Sequence, residues 1–352
     1  MPPIPTLLAP DNFTPPERTP WGGLNIPNVI KDLADHGQAI VGESWEISVE
    51  PDFPSQLADG SGSLADLIRA EPKAWLDADA DAGSIGLLVK LLDAAEPLSV
   101  QIHPSDDDAR LGPTESGKPE SWYIVDRAPG AGLYLGLRPG VTEERMRRAI
   151  EEGSDVSELL FFVPVEPGDC FSIAPGTAHA VGPGITLVEP QRVLPGRRGL
   201  TYRYWDWNRR YDEYGQPDEA GSPRKLHLEE ALSVTRWDAP RGEALLAEIR
   251  TRPSSRDIPG PRFEPLLGPD APVRSEALVV SRLSGSGRLV LPDANHFRGL
   301  TVVRGSVRFL NSDLIVKQGR SAALPACLRG AELELAGAEA IVAAAPLSAR
   351  GA

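Results

Sequence analysis

Short apolar runs alternate with turns rich in proline and glycine along most of this chain. Apolar runs between turn residues are typical of β-strands. In the first two thirds of the sequence they predict strands over residues 42–49, 87–92, 98–102 and 170–173. Residues 121–137 alternate apolar and polar positions on either side of an Ala-Pro-Gly turn, which predicts a β-hairpin.

Helical signals are fewer and shorter. Residues 63–76 carry apolar positions at helical spacing, and Pro72 is expected to interrupt or end that helix. Thr142 is a predicted N-cap, because two glutamates follow it in what would be the first turn of a helix. A third helix is predicted over residues 224–234. The pattern as a whole predicts a mainly β fold with helical additions.

The last third of the chain returns to strand patterns after residues 239–266, a segment rich in proline, arginine and glycine. Strands are predicted over residues 278–283, 287–291, 299–303, 306–310 and 338–344. We therefore divide the chain into a first domain over residues 1–240, a connecting segment over 241–265 and a smaller C-terminal β-domain over 266–352. That last region contains a single histidine, His296.

Composition and charge narrow the function classes. Glycine and proline number 34 and 35 among 352 residues, which favours turns and short strands. A formal net charge of -14 disfavours nucleic acid and anionic membranes as partners, so a phosphorylated substrate would need a local basic pocket. We find no signal peptide, no apolar run long enough to span a membrane and no cysteine framework, so we expect a cytoplasmic protein. The sequence leaves the oligomeric state open.

Four polar residues beside these predicted strands form a candidate metal site. Gln101 and His103 are two residues apart, so their side chains would project from one face of a strand. Together with Glu120 and His179, which follows a Pro-Gly turn, they could supply nitrogen and oxygen ligands suited to zinc. The alternative is that the Gln-x-His pair is an ordinary surface or core pair.

Three segments resemble a known family in both order and spacing. They are residues 98–104 (Leu-Ser-Val-Gln-Ile-His-Pro), 117–123 (Gly-Lys-Pro-Glu-Ser-Trp-Tyr) and 201–207 (Thr-Tyr-Arg-Tyr-Trp-Asp-Trp). They are similar to successive signatures of the type I mannose-6-phosphate isomerases, in their short bacterial form, and the similarity runs from about residue 20 to about residue 240. The resemblance implies a cupin jelly-roll barrel followed by a degenerate cupin-like β-domain. It also implies one Zn²⁺ per chain, held by the four residues above, and interconversion of mannose 6-phosphate and fructose 6-phosphate through an enediol.

Candidate catalytic and substrate-binding residues follow from the same segments. The resemblance implies an active-site role for Arg203, whose guanidinium could hold an enediolate or phosphate oxygen; the alternative is a structural arginine stacked on a neighbouring aromatic ring. Lys118 could bind phosphate or take part in proton transfer, and Ser99 would face the same cavity and could also bind phosphate. Glu189 and Asp206 are both candidates for the catalytic base, of which we select Glu189; the alternative for each is an ordinary hydrogen-bonded or exposed carboxylate.

Other functions stay open at this point. A different cupin sugar-phosphate enzyme, such as an epimerase or related isomerase, and a non-catalytic sugar-phosphate sensor are the alternatives. Residues 192–199 and 218–222 depart from the family pattern near the expected mouth of the pocket, so the preferred phosphosugar is not determined. The choice of zinc over another divalent metal also depends on cellular supply.

Overall fold

A computed structural model describes residues 3–33, 36–213, 215, 217–254 and 259–347. The mainly β prediction is confirmed, and most described strands belong to three large sheets. The first is a five-stranded sheet whose strands, in spatial order, are Tyr202–Trp205, Val100–Ile102, His179–Val181, Gly132–Leu137 and Leu160–Pro164. The second is a six-stranded sheet with the order Arg250–Thr251, Cys170–Ile173, Glu120–Arg127, Ile185–Arg192, Leu87–Ala94 and Glu43–Ile47.

These two sheets pack face to face. Trp122, Phe171 and Leu187 from the six-stranded sheet share one hydrophobic core with Leu133 and Val181 from the five-stranded sheet. Successive residues of the six-stranded sheet face opposite ways, since Leu187 lies in this core and Val188 in another, as expected for a strand covered on both faces. The predicted cupin architecture is therefore present.

The predicted hairpin over residues 121–137 is wrong. Its two halves do form strands, Glu120–Arg127 and Gly132–Leu137, but these lie in different sheets. The turn between them carries the chain across the sandwich, and the backbone N–H of Ala128 donates to the carbonyl of Gly184 at 2.7 Å. Alternation of apolar residues indicates a strand but does not determine which strand it pairs with.

A third sheet holds the C-terminal strands. Its spatial order is Thr6–Leu7, Arg320–Leu324, Arg298–Phe309, Glu332–Ala344, Val279–Val290, Arg262–Gly268 and Val273–Arg274, with Ile315–Lys317 paired to Arg298–Phe309. Strands predicted as separate pieces are continuous here. Val279–Val290 passes through a bulge at Gly285 and Gly287, whose φ angles of 97° and 116° favour glycine.

The N-terminal segment joins this third sheet rather than the first two. Thr6 lies opposite Ala323 on the neighbouring strand. One continuous hydrophobic core also contains Ile47 and Tyr123 together with Val280 and Ile341. The division of the chain at residues 241–265 stays a prediction.

The helices lie outside the sheets. The described α-helices are Leu64–Ala70, Pro72–Leu76, Glu143–Glu151, Leu228–Val234 and Glu243–Ile249, with 3₁₀-helices at Asp77–Ala82 and Val156–Leu159 and a π-helix at Ile26–Ile30. Ser63 and Asp66 form a capping box at the first of them. Pro72 begins the second helix, because its missing N–H costs nothing in the first turn. The helix predicted from residue 224 begins instead at Leu228, and the N-cap at Thr142 is confirmed.

A short parallel pair of strands lies at the mouth of the sandwich. Glu115–Ser116 pairs with Arg198–Gly199, so the segment 192–199 lies beside the residues that precede Lys118. Arg192 also forms two hydrogen bonds to the carboxylate of Asp106, at 2.8 and 2.6 Å. The segment is thus anchored next to the site described below.

Candidate metal centre and active-site cavity

The facing sheets bring the predicted metal ligands together. Gln101 and His179 lie directly opposite each other on antiparallel strands of the five-stranded sheet. His103 follows two residues after Gln101, and Glu120 begins a strand of the six-stranded sheet. Residues that are paired across strands or two apart along a strand share one face, so these side chains converge between the sheets.

Glu120 lies between the two imidazoles. Its Oε1 is 3.1 Å from His103 Nε2, and its Oε2 is 3.8 Å from His179 Nε2. All three residues are buried, and a set of their ligand atoms lies within 4.8 Å of one another. This spacing suits a single ion that replaces the direct contacts with metal–ligand bonds.

Hydrogen bonds orient both histidine rings. His103 Nδ1 lies 3.0 Å from the carbonyl oxygen of Leu200, and His179 Nδ1 lies 2.8 Å from that of Thr177. A carbonyl only accepts, so each Nδ1 carries the proton and each Nε2 keeps its lone pair for a ligand bond. Burial lowers the pKa of both imidazoles, that of His179 to about 3, so both are neutral near pH 7.

The carboxylate of Glu120 is held ionised. Burial opposes its charge, but the neighbouring charge of Lys118 keeps the pKa well below its usual range. Lys118 Nζ lies 3.0 Å from Glu120 Oε1, and Gln191 Nε2 donates to the same oxygen at 2.7 Å. Oε2 is therefore the oxygen left for a metal.

Three buried atoms at this point lack hydrogen bonds to any described residue: His103 Nε2, His179 Nε2 and Glu120 Oε2. Unsatisfied buried polar atoms are costly, and three that converge on one position fit a bound cation. Two neutral imidazoles and a carboxylate are ligands that divalent transition metals accept. The residues present therefore fit a metal ion.

A cavity of about 310 Å³ opens beside this centre. The predicted site residues that line it are Ser99, Gln101, Lys118, Glu120, Glu189 and Arg203. Its lining also contains six basic residues, Arg18, Lys90, Lys118, Arg198, Arg203 and Arg224, against four acidic ones, Glu43, Glu50, Glu120 and Glu189. The local excess of positive charge, in a protein of net charge -14, is the basic pocket that an anionic substrate requires.

Arg203 lies on the strand beside Gln101. Its backbone N–H donates to His227 Nδ1 at 3.1 Å, and its backbone carbonyl accepts from the N–H of His227 at 2.9 Å. One guanidinium nitrogen, Nη1, donates to the carbonyl of Lys225 at 2.9 Å, whereas the buried Nε has no partner among the described residues. The guanidinium is therefore held in place at Nη1, and its Nε can still donate to a ligand.

The two candidate bases lie in different surroundings. Glu189 lines the cavity, where Trp122 Nε1 donates to one oxygen at 2.9 Å and Gln191 Nε2 to the other at 2.7 Å. Burial and the negative charge of Glu120 raise the pKa of Glu189. Such a carboxyl group exchanges a proton near neutral pH more readily than an ordinary glutamate.

Asp206 instead forms ion pairs with two arginines. Arg224 donates to both of its oxygens at 2.7 Å, and Arg209 donates to Oδ1 at 2.6 Å. Burial disfavours its charge, but Arg224 and then Arg209 outweigh burial and lower the pKa. A carboxylate with so low a proton affinity is better suited to anchoring Arg224 than to acting as a base.

Several residues of the site were not found from the sequence. Gln191 Nε2 donates to the carboxylates of both Glu120 and Glu189. Lys90 Nζ lies 3.4 Å from Glu43 Oε2 and 3.7 Å from Glu189 Oε2. A signal existed, because Glu189 and Gln191 are two positions apart within an apolar strand and so share a face. Polar residues at every second position of a buried apolar strand place their side chains on one face, and such a face can form the polar wall of a cavity.

None of the helices in the described ranges is both long and apolar enough to cross a membrane. The cytoplasmic location remains a prediction.

Comparison with known proteins identifies the family. Residues 21–124 match the model of the phosphomannose isomerase type I catalytic domain. The chain is 30% identical over 324 residues to mannose-6-phosphate isomerase ManA of Bacillus subtilis, which covers 89% of this chain and 92% of that protein. It is 35% identical over 217 residues to a mannose-6-phosphate isomerase of Streptococcus mutans, covering 61% of this chain and 63% of that protein.

The fold comparison agrees over the whole chain. The crystal structure of the mannose 6-phosphate isomerase from Bacillus subtilis superposes with a TM-score of 0.75 at 25% identity, covering 97% of this chain and 99% of that one. The resemblance seen in the three sequence segments is therefore confirmed. The chain belongs to the type I phosphomannose isomerases, metal-dependent enzymes that interconvert mannose 6-phosphate and fructose 6-phosphate.

Proposed function

We propose that this chain is a zinc-dependent isomerase acting on mannose 6-phosphate and fructose 6-phosphate. The observation that carries the proposal is the convergence of three unsatisfied buried atoms, on His103, Glu120 and His179, beside a cavity with a local excess of basic residues. An ion in this position would lie where a sugar bound in the cavity could reach it. The proposed partners are this small phosphosugar and no macromolecule.

We propose Gln101 as the fourth metal ligand. Its side chain lines the cavity, and its position opposite His179 directs it to the same face. Two imidazoles, a carboxylate and an amide oxygen form a borderline ligand set that zinc accepts. When bound, such an ion supplies Lewis-acid stabilisation of the negative charge that develops on the sugar oxygens during enolisation.

The basic residues of the cavity would bind and orient the phosphosugar. Arg203 has an unused buried donor, and its fork-shaped guanidinium suits a phosphate or enediolate oxygen. Ser99 contributes a hydroxyl from the same wall. Lys118 Nζ lies 3.0 Å from Glu120 Oε1, so its positive charge would both stabilise that carboxylate and attract the anionic substrate.

Glu189 is the proposed proton-transfer residue. Isomerisation removes a proton from C2 of the open-chain aldose and returns one to C1. Both oxygens of Glu189 accept hydrogen bonds, from Trp122 and Gln191, so the carboxyl group is fixed in orientation toward the cavity. Its raised pKa lets it accept and release a proton at neutral pH.

One experiment tests the whole proposal. Purified protein is assayed with mannose 6-phosphate before chelation, after chelation, and after return of zinc, manganese or cobalt, with metal content measured on each sample. We expect about one zinc per chain as isolated, and loss and recovery of fructose 6-phosphate formation with the metal. Binding of mannose 6-phosphate without turnover in the metal-loaded protein would instead support the sensor alternative. Full activity in a metal-free sample would overturn the role of zinc.

A further inference from the structure

A second cavity, of about 270 Å³, lies on the C-terminal sheet and shares no lining residue with the first. Its floor is one face of three adjacent strands, on which Ser281 lies opposite Val342 and Val279 lies opposite Ala344. Cross-strand partners share a face, so these side chains form one surface. The apolar residues that line it include Phe263, Pro265, Val279, Val342 and Ala344.

One buried cation lines this apolar cavity. Arg298 is only 6% exposed, and its Nη1 donates to the carbonyl of Pro292 at 2.6 Å. Its Nε is also buried and has no hydrogen-bond partner among the residues that the structure describes. Burial lowers the pKa of Arg298 to about 10, so the group keeps its charge at neutral pH. A charged guanidinium with an unused buried donor is a costly arrangement unless a ligand completes it.

The loop that precedes Arg298 is held in place on both sides. The N–H of Gly330 donates to the side chain of Asp293 at 2.8 Å, and the N–H of Ala78 donates to the carbonyl of Asn295 at 3.1 Å. The cavity wall is therefore fixed by contacts that do not involve Arg298 itself. A pre-formed apolar cavity with one convergent charged group is the usual form of a small-molecule site.

We propose that this cavity binds a small carboxylate carried by an apolar group. The apolar floor would cover the hydrocarbon part, and the free edge of the Arg298 guanidinium would donate two parallel hydrogen bonds to the carboxylate. Two exposed carboxylates, Asp270 and Asp293, lie at the rim. They disfavour a phosphate dianion or polyanion more strongly than a monoanion, so the preferred ligand differs in class from the phosphosugar of the first cavity.

The test uses the metal-loaded, full-length protein and 4-fluorobenzoate, followed by fluorine NMR titration. The matched probe is 4-fluorobenzyl alcohol, which has nearly the same shape and no charge. We expect saturable binding of the acid and at least tenfold weaker binding of the alcohol. Arg298→Met should weaken binding of the acid at least tenfold and leave isomerase activity within about twofold, whereas Asp293→Asn should bind the acid as well as or better than the unchanged protein.

A second variant covers the case in which Arg298→Met does not fold. Val279→Phe fills the cavity from its half-buried edge while leaving the Arg298 side chain in the sequence, and it should abolish binding, with its melting transition as the check on folding. Several outcomes would overturn the proposal. They are no binding of 4-fluorobenzoate at millimolar concentration, equal binding of acid and alcohol, binding that survives both variants, and displacement of the probe by mannose 6-phosphate, which would assign it to the first cavity.

Discussion

Gln101 and His179 are directly opposed across two antiparallel strands, although they lie far apart in sequence. This pairing places a candidate amide ligand beside a candidate imidazole ligand. The strand neighbour on the other side of Gln101 is Arg203, so the same three-strand register also places the candidate substrate-binding cation. Any slip of register by one residue would reverse the faces of these side chains and dismantle the site.

The first prediction concerns the metal ligands. His179→Ala should lose metal and activity together, each by at least about a hundredfold, because even the partners of metal ligands are worth about 10- to 100-fold. Gln101→Ala should lose less, since two imidazoles and Glu120 remain. Metal content by mass spectrometry and kcat/KM on the same preparations provide the measurement. His296→Ala, on the C-terminal sheet, is the control and should keep both metal and activity.

A second prediction separates the two candidate bases. Glu189→Gln should reduce kcat by about 10²- to 10⁴-fold, the usual contribution of a general base, with metal content unchanged. It should also stop the exchange of the C2 hydrogen of mannose 6-phosphate with solvent deuterium, which reports proton removal directly. Asp206→Asn should keep that exchange. Retained exchange in Glu189→Gln together with its loss in Asp206→Asn would reverse the assignment.

The candidate metal ligands could be located from the sequence because each lies at or next to a strand end beside a turn signal. Gln101 and His103 precede a proline, Glu120 follows Gly-Lys-Pro, and His179 follows a Pro-Gly turn. Local patterns of this kind survive folding, since turn chemistry and strand alternation are short-range properties.

The pairing of strands was the part that local patterns could not supply. The segments on either side of residues 128–131 alternate well enough for a hairpin, yet they join opposite sheets because their apolar faces cover the shared core from two sides. The role of Lys90 was hidden for the same reason. It lies inside an apolar strand, and its position opposite Glu189 in the register shows that it faces the cavity.

A third prediction uses the pH dependence of stability. Asp206 has a pKa below its ordinary value of 3.8, mainly because Arg224 and Arg209 offset the penalty of burial. Its contribution to stability is therefore full above about pH 3.8 and is lost as the pH falls through the lower pKa of the folded state. Asp206→Asn should destabilise the protein by about 3 kcal/mol at pH 7, the usual cost of breaking a buried ion pair.

The difference between Asp206→Asn and the unchanged protein should shrink below about pH 3.8, where the unchanged protein also loses the charge. Urea unfolding at pH 7 and at successively lower pH values measures it. A difference that stays constant with pH would show that the aspartate acts through hydrogen bonding alone. Arg210→Ala, which removes an exposed arginine whose Nε donates to the carbonyl of Gly221, is a suitable control.

The last prediction is that Arg203 serves the reaction more than the fold. Its guanidinium makes a hydrogen bond to the carbonyl of Lys225, but no aromatic ring stacks on it in the part of the chain that the structure describes. Removing a group that stabilises developing charge costs about 3 to 4 kcal/mol. Arg203→Ala should therefore lose at least about a hundredfold in kcat/KM for mannose 6-phosphate, while keeping stoichiometric metal and a cooperative melt.

Arg203→Lys should recover part of the loss, because it returns the charge without the planar fork. Near-normal activity in Arg203→Ala, or a loss explained by unfolding, would return Arg203 to a structural role.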